Sequence, residues 1–367
     1  MMFAKTRVVA VSAALLALSS AGTHAADVAP AALVNRTIGY VITSYHWAMF
    51  ATKEAKECPE GMNDGPRGQY AALFPKDGTV RKVEDTVLRR EAAIWFPTAE
   101  PDQFKFKEPV TKIAPGLNLD GKIGANDFES PDGEKGIDNQ FNRVYGCVAD
   151  MRPNGILDDF QNKMLQQYQF ARMAIELTNV DSLVNDDDVT VTFYKVRDPL
   201  SRSAIDNQFL PYSSQRVDER WGKLFVHSMH GKIVSGVLTT EPGEIALPYH
   251  YNFSPRQYYR VRGARLKLNL TSESAKGLIA GYLDVASWYR AYNGALSTYT
   301  LSFGNQSSQS LYKAMSRLAD GYPDPVTGIN TALSMAQDVN LTQVFIKHAP
   351  LKISSSGAVP QTLARAR

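Results

Sequence analysis

The sequence predicts an α+β protein, mainly β: an antiparallel β-sandwich preceded by a loop-rich region and carrying a few helices. Three observations lead there. Beyond residue 170 the chain falls into short runs that alternate apolar and polar residues, the mark of strands with one buried and one wet face. Turn-forming residues separate these runs, which is how sandwiches are punctuated. Upstream, residues 98–153 show little periodicity and many Gly, Asp, Asn and Pro residues. So long an irregular stretch is usually functional, or is held by an ion or a disulfide.

The chain opens on Met-Met-Phe-Ala-Lys-Thr-Arg, a basic head, followed by an apolar run from Val8 to Ala21 and the small-x-small exit Thr23-His24-Ala25. This order predicts a signal peptide over residues 1–25 and therefore a periplasmic or secreted protein. The apolar run is shorter than the roughly 20 residues of a spanning helix, so no transmembrane anchor is expected after cleavage. The remainder divides into a loop-rich region (26–153), a β-sandwich domain (154–350) and a disordered tail (351–367).

Ile38 to Phe50 is rich in β-branched and aromatic residues and reads as strand. Val83 to Phe96 carries helical spacing and stops at Pro97. A second helix is predicted from Asn154, as its cap, to Tyr168, with Ile156, Phe160, Met164 and Tyr168 on its apolar face. Strands follow at 173–180, 189–196, 224–230, 233–239, 258–270 and 277–283, with His230-Gly231-Lys232 as one hairpin turn. A helix at 310–319 and a strand at 341–347 complete the order.

Lys and Arg number 40 against 37 Asp and Glu, and a net charge of +3 leaves no nucleic-acid footprint. The two cysteines, Cys58 and Cys147, are predicted to form a disulfide, since an isolated pair in an exported protein is usually bonded.

The segment Gly116-Leu-Asn-Leu-Asp-Gly-Lys-Ile-Gly-Ala-Asn-Asp-Phe128 has the spacing of a calcium loop. Gly121 takes the sharp-turn position, which places Asn118, Asp120 and Asp127 at ligand positions and Ile123 at the apolar one. Its Asp-Phe ending resembles a dockerin-type EF-hand loop, although Gly116 stands where the pattern wants Asp. Asp132, Asp138 and Asn139 just downstream could supply the missing oxygen. Calcium is therefore the expected cofactor, against a plain Gly/Asp turn series. A second acid cluster, Asp181 with Asn185 to Asp188, reads first as solvated carboxyls at a loop end.

His227 and His230 lie three apart on a strand and so face opposite sides, a poor pair of ligands. His-Glu-x-x-His and Gly-x-Ser-x-Gly are absent, and Ser310-Leu-Tyr-Lys313 lacks the partner motifs of its enzyme class. Trp288, Tyr289 and Tyr292 suit either a sugar-stacking platform or core packing.

The stretches Lys56-Glu-Cys-Pro-Glu-Gly61, Gly116 to Gly121, Gly136-Ile-Asp-Asn-Gln140 and Gly146-Cys147 resemble a family of secreted bacterial proteins without assigned function. That resemblance implies export and treats the two cysteine regions as one module. The expected function is a non-catalytic, calcium-stabilised binding or structural role, with a carbohydrate or envelope component as partner. The alternatives are a hydrolase of a polysaccharide or envelope polymer, and a periplasmic metal carrier.

Overall fold

The structure is a computed structural model that describes residues 33–50, 52, 54–63, 106–168, 171–249, 257–292 and 308–349. The predicted signal peptide, the helix at 83–96 and the tail at 351–367 lie outside the described residues. Strand outweighs helix, 44% to 18%.

In chain order, β1 (Thr37–Trp47) leads through helix α1 (Glu54–Glu57) to a small hairpin of β2 (Phe128–Glu129) and β3 (Lys135–Ile137). Helices α2 (Gln140–Tyr145) and α3 (Ile156–Gln167) follow, then β4 (Met173–Thr178), β5 (Asp186–Lys195) and β6 (Ser213–Arg216). Next come β7 (His227–Val234), β8 (Val237–Thr240), β9 (Gly243–Pro248), β10 (Tyr258–Leu270) and β11 (Ser274–Asp284). Residues 285–292 form a helix, α4, and the described chain ends with α5 (Ser308–Leu318), β12 (Gly321–Pro323) and β13 (Asn330–Lys347).

The predicted sandwich is corrected to a barrel. Strands β1, β4, β5, β7, β8, β10, β11 and β13 pair in chain order, each antiparallel to the next, and β13 returns to pair with β1. Gly39 faces Val344 and Trp47 faces Gln337 across the closing seam. Closure gives the first and last strands two neighbours each and removes the open edges a sandwich would keep. It also makes the 26–153 region a contributor to the barrel, because β1 bonds to both β4 and β13.

Alternation carries one face of each strand inward, and bulges on β1 and β10 re-phase it. Ile38, Tyr40 and Ile42 belong to the main core, and after a register shift between Ile42 and Ser44 so do Tyr45 and Trp47. On β10, Tyr259 and Val261 precede a shift around Gly263 (φ +56°), and Ala264, Leu266, Leu268 and Leu270 resume the inward face. The interior is filled. A void of about 20 Å³ beside Tyr45, Met173, Tyr259 and Gln337 has room for about one water.

Two local expectations shift. The hairpin turn falls at Ser235-Gly236 rather than at His230–Lys232, because both Ser235 (φ 51°) and Gly236 (φ 80°) take the left-handed conformation that two-residue hairpins need. Gly231 instead lies within β7, opposite Thr240. Helix α3 is capped by Gly155 rather than Asn154, and its buried face runs through Leu157, Asp158, Gln161, Met164 and Leu165. Ile156 is left 67% exposed. The polar members of that face clamp α3 to β1: Asn162 exchanges hydrogen bonds with the Tyr45 backbone at 2.9 Å each, and Asp158 meets His46 Nδ1 at 2.8 Å. That carboxylate hydrogen bond raises the His46 pKa, against the opposing effect of burial.

The antiparallel order sends the long connections (48–172, 196–226 and 285–329) to the barrel end opposite the short hairpins 179–185, 235–236 and 271–273. Aromatic rings fill that end. Trp47 stacks on Phe141 at 4.0 Å and Phe141 on Tyr145 at 4.2 Å, while Trp288 Nε1 donates to Tyr145 Oη at 2.7 Å. Trp288, Tyr289 and Tyr292 are each at most 2% exposed, so they are core, not a sugar platform. The predicted disulfide Cys58–Cys147 is present and ties α1 to the chain just beyond α2. It closes a loop of 89 residues, which the chain-entropy account values at about 4.6 kcal/mol.

Candidate functional site

Gly121 adopts the tight turn its place in the acid-rich segment predicts, at φ +77°. Around it, the oxygens proposed as calcium ligands accept backbone hydrogen bonds. Gly121 N donates to Asn118 Oδ1 at 2.7 Å, Lys122 N to Asp120 Oδ1 at 2.8 Å, and Gly124 N to Asp127 Oδ2. Asp138, 5% exposed, accepts from Leu119 N at 2.6 Å and Asp120 N at 3.3 Å. Asn139 caps α2 and donates to Ala48 O and Pro115 O, tying this segment to the end of β1. Asp132 sits exposed on the β2–β3 turn. The segment lies on the outside of the barrel, where Leu119 and Ala48 pack against Ala280 and Ala336.

Burial raises the Asp138 pKa, and neighbouring Asp120 and Asp127 push it further. Asp320 approaches from the other side: its pKa is pushed up to about 6 by burial, and the charge of Asp138 adds to this. Among the described residues no group of three or more His, Cys, Asp or Glu side chains stands ready to hold a metal ion.

The second acid cluster builds the β4–β5 hairpin. Asp186 Oδ2 accepts from Asp181 N at 2.6 Å, and Asp181 pairs with Arg36 at 2.7 Å. His227 Nε2 lies 2.9 Å from Leu224 O and 3.1 Å from Ala246 N, with its pKa lowered by burial, while His230 lies exposed 3.8 Å from Asp188.

A cavity of ligand size lies elsewhere, at the end of β4 and β5, with a volume of about 520 Å³. It is lined by Gln167, Tyr168, Arg172, Arg197, Asp198, Pro199, Arg216 and Arg220. Three chain segments build it. The turn from α3 into β4 brings Gln167, Tyr168 and Arg172. The end of β5 brings Arg197 to Pro199. The β6 segment crosses outside the barrel and brings Arg216 and Arg220, held there by the bridge of Val196 to Val217 and by Arg197 N donating to Arg216 O at 3.2 Å. An outer apolar cluster of Val41, Ala174, Val196 and Val344 packs beneath this region.

Each arginine has its own setting. Arg172, 1% exposed, donates to the carbonyls of Leu165, Gln166 and Asp198, and its Nε has no acceptor. Burial pushes its pKa down to about 10. Arg216 grips Asp198 in a fork, with Nη2 to Oδ1 at 2.5 Å and Nε to Oδ1 at 2.8 Å, and this holds the Asp198 carboxyl below its usual range. Arg220 forks onto Asp218 at 2.7 and 2.8 Å. Behind the groove, Lys195 is 3% exposed and burial pushes its pKa down to about 8. Arg197 is half-buried, its Nε is buried without an acceptor, and its charge helps to hold the Asp198 carboxyl below its usual range.

None of these positions stands out in the sequence, because the arginines are scattered over some 50 residues (172, 197, 216 and 220) and match no motif. The available signal was weak: Arg197-Asp198-Pro199 directly after a clean strand, and Arg216 and Arg220 flanking Asp218.

Together the fold and the groove define an eight-stranded antiparallel meander barrel with a packed interior and an exterior, arginine-lined cavity. Comparison with known proteins finds no matching family model, no matching curated protein and no matching solved structure.

Proposed function

We propose that this is an exported, non-catalytic binding protein that holds an anionic ligand, such as an envelope component, in the arginine-lined groove. The observation that carries this reading is the lining of the groove: a cavity of about 520 Å³ with Arg172, Arg197, Arg216 and Arg220 against the single carboxylate Asp198. A buried charge is costly unless it is paired, and a bound anion would supply the partner. The size suits a small ligand or one sugar unit of a polymer. The hydrolase alternative gains little support here, since the groove holds one carboxylate, Asp198, already forked to Arg216.

The test is calorimetry with a panel of anionic glycans and sugar phosphates. Arg197→Ala should weaken binding by about tenfold, the order of one charge-assisted hydrogen bond, and leave the melting temperature in place. Equal binding by the variant and the unaltered protein would end this reading.

Calcium at residues 116–139 is a second reading. It is favoured by the crowding of Asp138, 5% exposed, with Asp120, Asp127 and Asp320. A divalent cation would relieve that repulsion, with Asn118, Asp120, Asp127 and Asp138 turning oxygens from loop amides toward the ion.

A further inference from the structure

The anion reading of the groove leaves open which anion, and the balance of charge there is specific enough to narrow it. Arg172, Arg197, Arg216 and Arg220 bring four cations, while Asp198 and Asp218 bring two carboxylates, a surplus of two positive charges. Both acids are committed to forks, Asp198 with Arg216 and Asp218 with Arg220. Those two guanidiniums are thereby fixed in direction at the rim, and Arg172 is fixed by three carbonyls at the wall. Arg197 adds a fourth from the chain just beyond β5. The cations thus come from three separate chain segments, an arrangement that suits an anion with several charged oxygens. A carboxylate presents one flat pair of oxygens and one charge, and a single guanidinium fork already satisfies it.

The groove is also far larger than a bare oxyanion requires. Its remaining lining includes Tyr168, 45% exposed, with the Gln167 amide and Pro199 beside it. An exposed aromatic ring next to an amide offers an apolar face together with donors and acceptors, as a sugar ring needs.

Resting on the anion reading above, we infer that the groove takes a phosphate monoester carried on a sugar ring. The phosphoryl group lies among the arginines, and the ring lies against Tyr168. A free sugar phosphate and a phosphorylated sugar within a polymer share this chemistry, and either could be the source.

The experiment is calorimetry on the full mature chain with four probes: glucose 1-phosphate, inorganic phosphate, glucuronate and glucose. Each is run at pH 7.5 and pH 5, with the unaltered protein, Arg197→Ala and Tyr168→Ala. Glucose 1-phosphate should bind best, inorganic phosphate more weakly, glucuronate about tenfold or more below glucose 1-phosphate, and glucose not at all. A phosphate monoester takes up a proton with a pKa of about 6, so its binding should weaken at pH 5, whereas glucuronate keeps its single charge. Tyr168→Ala should weaken glucose 1-phosphate and spare inorganic phosphate.

Equal, Arg197-dependent binding of glucuronate and glucose 1-phosphate at both pH values would overturn the phosphate inference and leave the anion groove standing. Inorganic phosphate binding as tightly as glucose 1-phosphate, with Tyr168→Ala silent, would remove the sugar. Should no probe bind and no polyanion bind through Arg197, the groove reading itself fails. A polyglucose phosphate captured where the free sugar phosphate is not would place the phosphoryl group in a polymer.

Discussion

Lys195 shows how a single residue couples the groove to stability. Its side chain is 3% exposed, with Nζ 5.7 Å over the Trp221 ring and the charges of Asp218, Arg220 and Arg172 around it. Desolvation dominates and lowers its pKa from 10.5 to about 8, more than Asp218 can restore. Between those two values the unfolded chain binds the proton more tightly than the native protein does. Stability from this group therefore rises as pH rises from about 8 to 10.5, and the charged form is a cost at neutral pH. Lys195→Met should accordingly remove the rise between pH 8 and 10.5, as followed by thermal denaturation across that range. A variant with the high-pH slope intact would show that the ammonium is well solvated in the native state. At this scale the sequence was legible where backbone chemistry is local. The tight turn expected at Gly121 is present, because only glycine takes φ +77° at no steric cost. The roles of Arg172 and Lys195 were not legible, since burial of a charge depends on what other segments place around it.

Among the elements, the acid-rich segment between β1 and α2 poses a calcium question that its own hydrogen bonds sharpen. Asp138 anchors the turn by accepting from Leu119 N and Asp120 N, yet burial raises its pKa. Without an ion the native state holds that proton more tightly than the unfolded chain, so this group costs stability as pH rises through the ordinary carboxylate value of 3.8 and beyond. Calcium would offset the repulsion among Asp120, Asp127 and Asp138. The melting temperature at pH 7 should then rise with added calcium, with an affinity on the order of 10⁻⁴ to 10⁻³ M for a loop short of one carboxylate. Asp138→Asn keeps the turn's acceptor, and should abolish the calcium response and flatten the acid-side pH dependence. A melting curve indifferent to millimolar calcium and to chelator would mean that the segment supports itself by its turns. Other elements show where periodicity is enough and where it is not. The strands β4, β5, β10 and β11 stand close to their expected bounds because alternation repeats within each run. The face of α3 was placed about one residue off: Asp158, Gln161 and Asn162, buried polar residues, face β1, and a reading of apolar spacing passes over them.

For the whole molecule, closure is the property with the clearest consequence. An open sandwich would leave β1 with a free edge, whereas here its backbone bonds to β4 on one side and to β13 on the other. Amides of Gly39 to Val41 and of Val339 to Val344 should therefore exchange with deuterium as slowly as those of β10 and β11, only through global opening. Fast exchange along β1 with slow exchange in β10 would point to an open sheet. The sequence alone determined that the protein is mainly β, where most strands lie, that Cys58 and Cys147 form a disulfide, and that Gly121 turns the acid-rich loop. All of these except the disulfide are local matters of period two and turn chemistry; the disulfide follows from there being only two cysteines to pair. Tertiary structure decided the rest. Whether a row of strands ends as a sandwich or closes as a barrel depends on β1 meeting β13 from the far end of the chain, and no local pattern encodes that meeting. The groove arises in the same way: its arginines come from three separate segments, and it exists only where β6 crosses the outside of the barrel to set Arg216 and Arg220 beside Arg172 and Arg197.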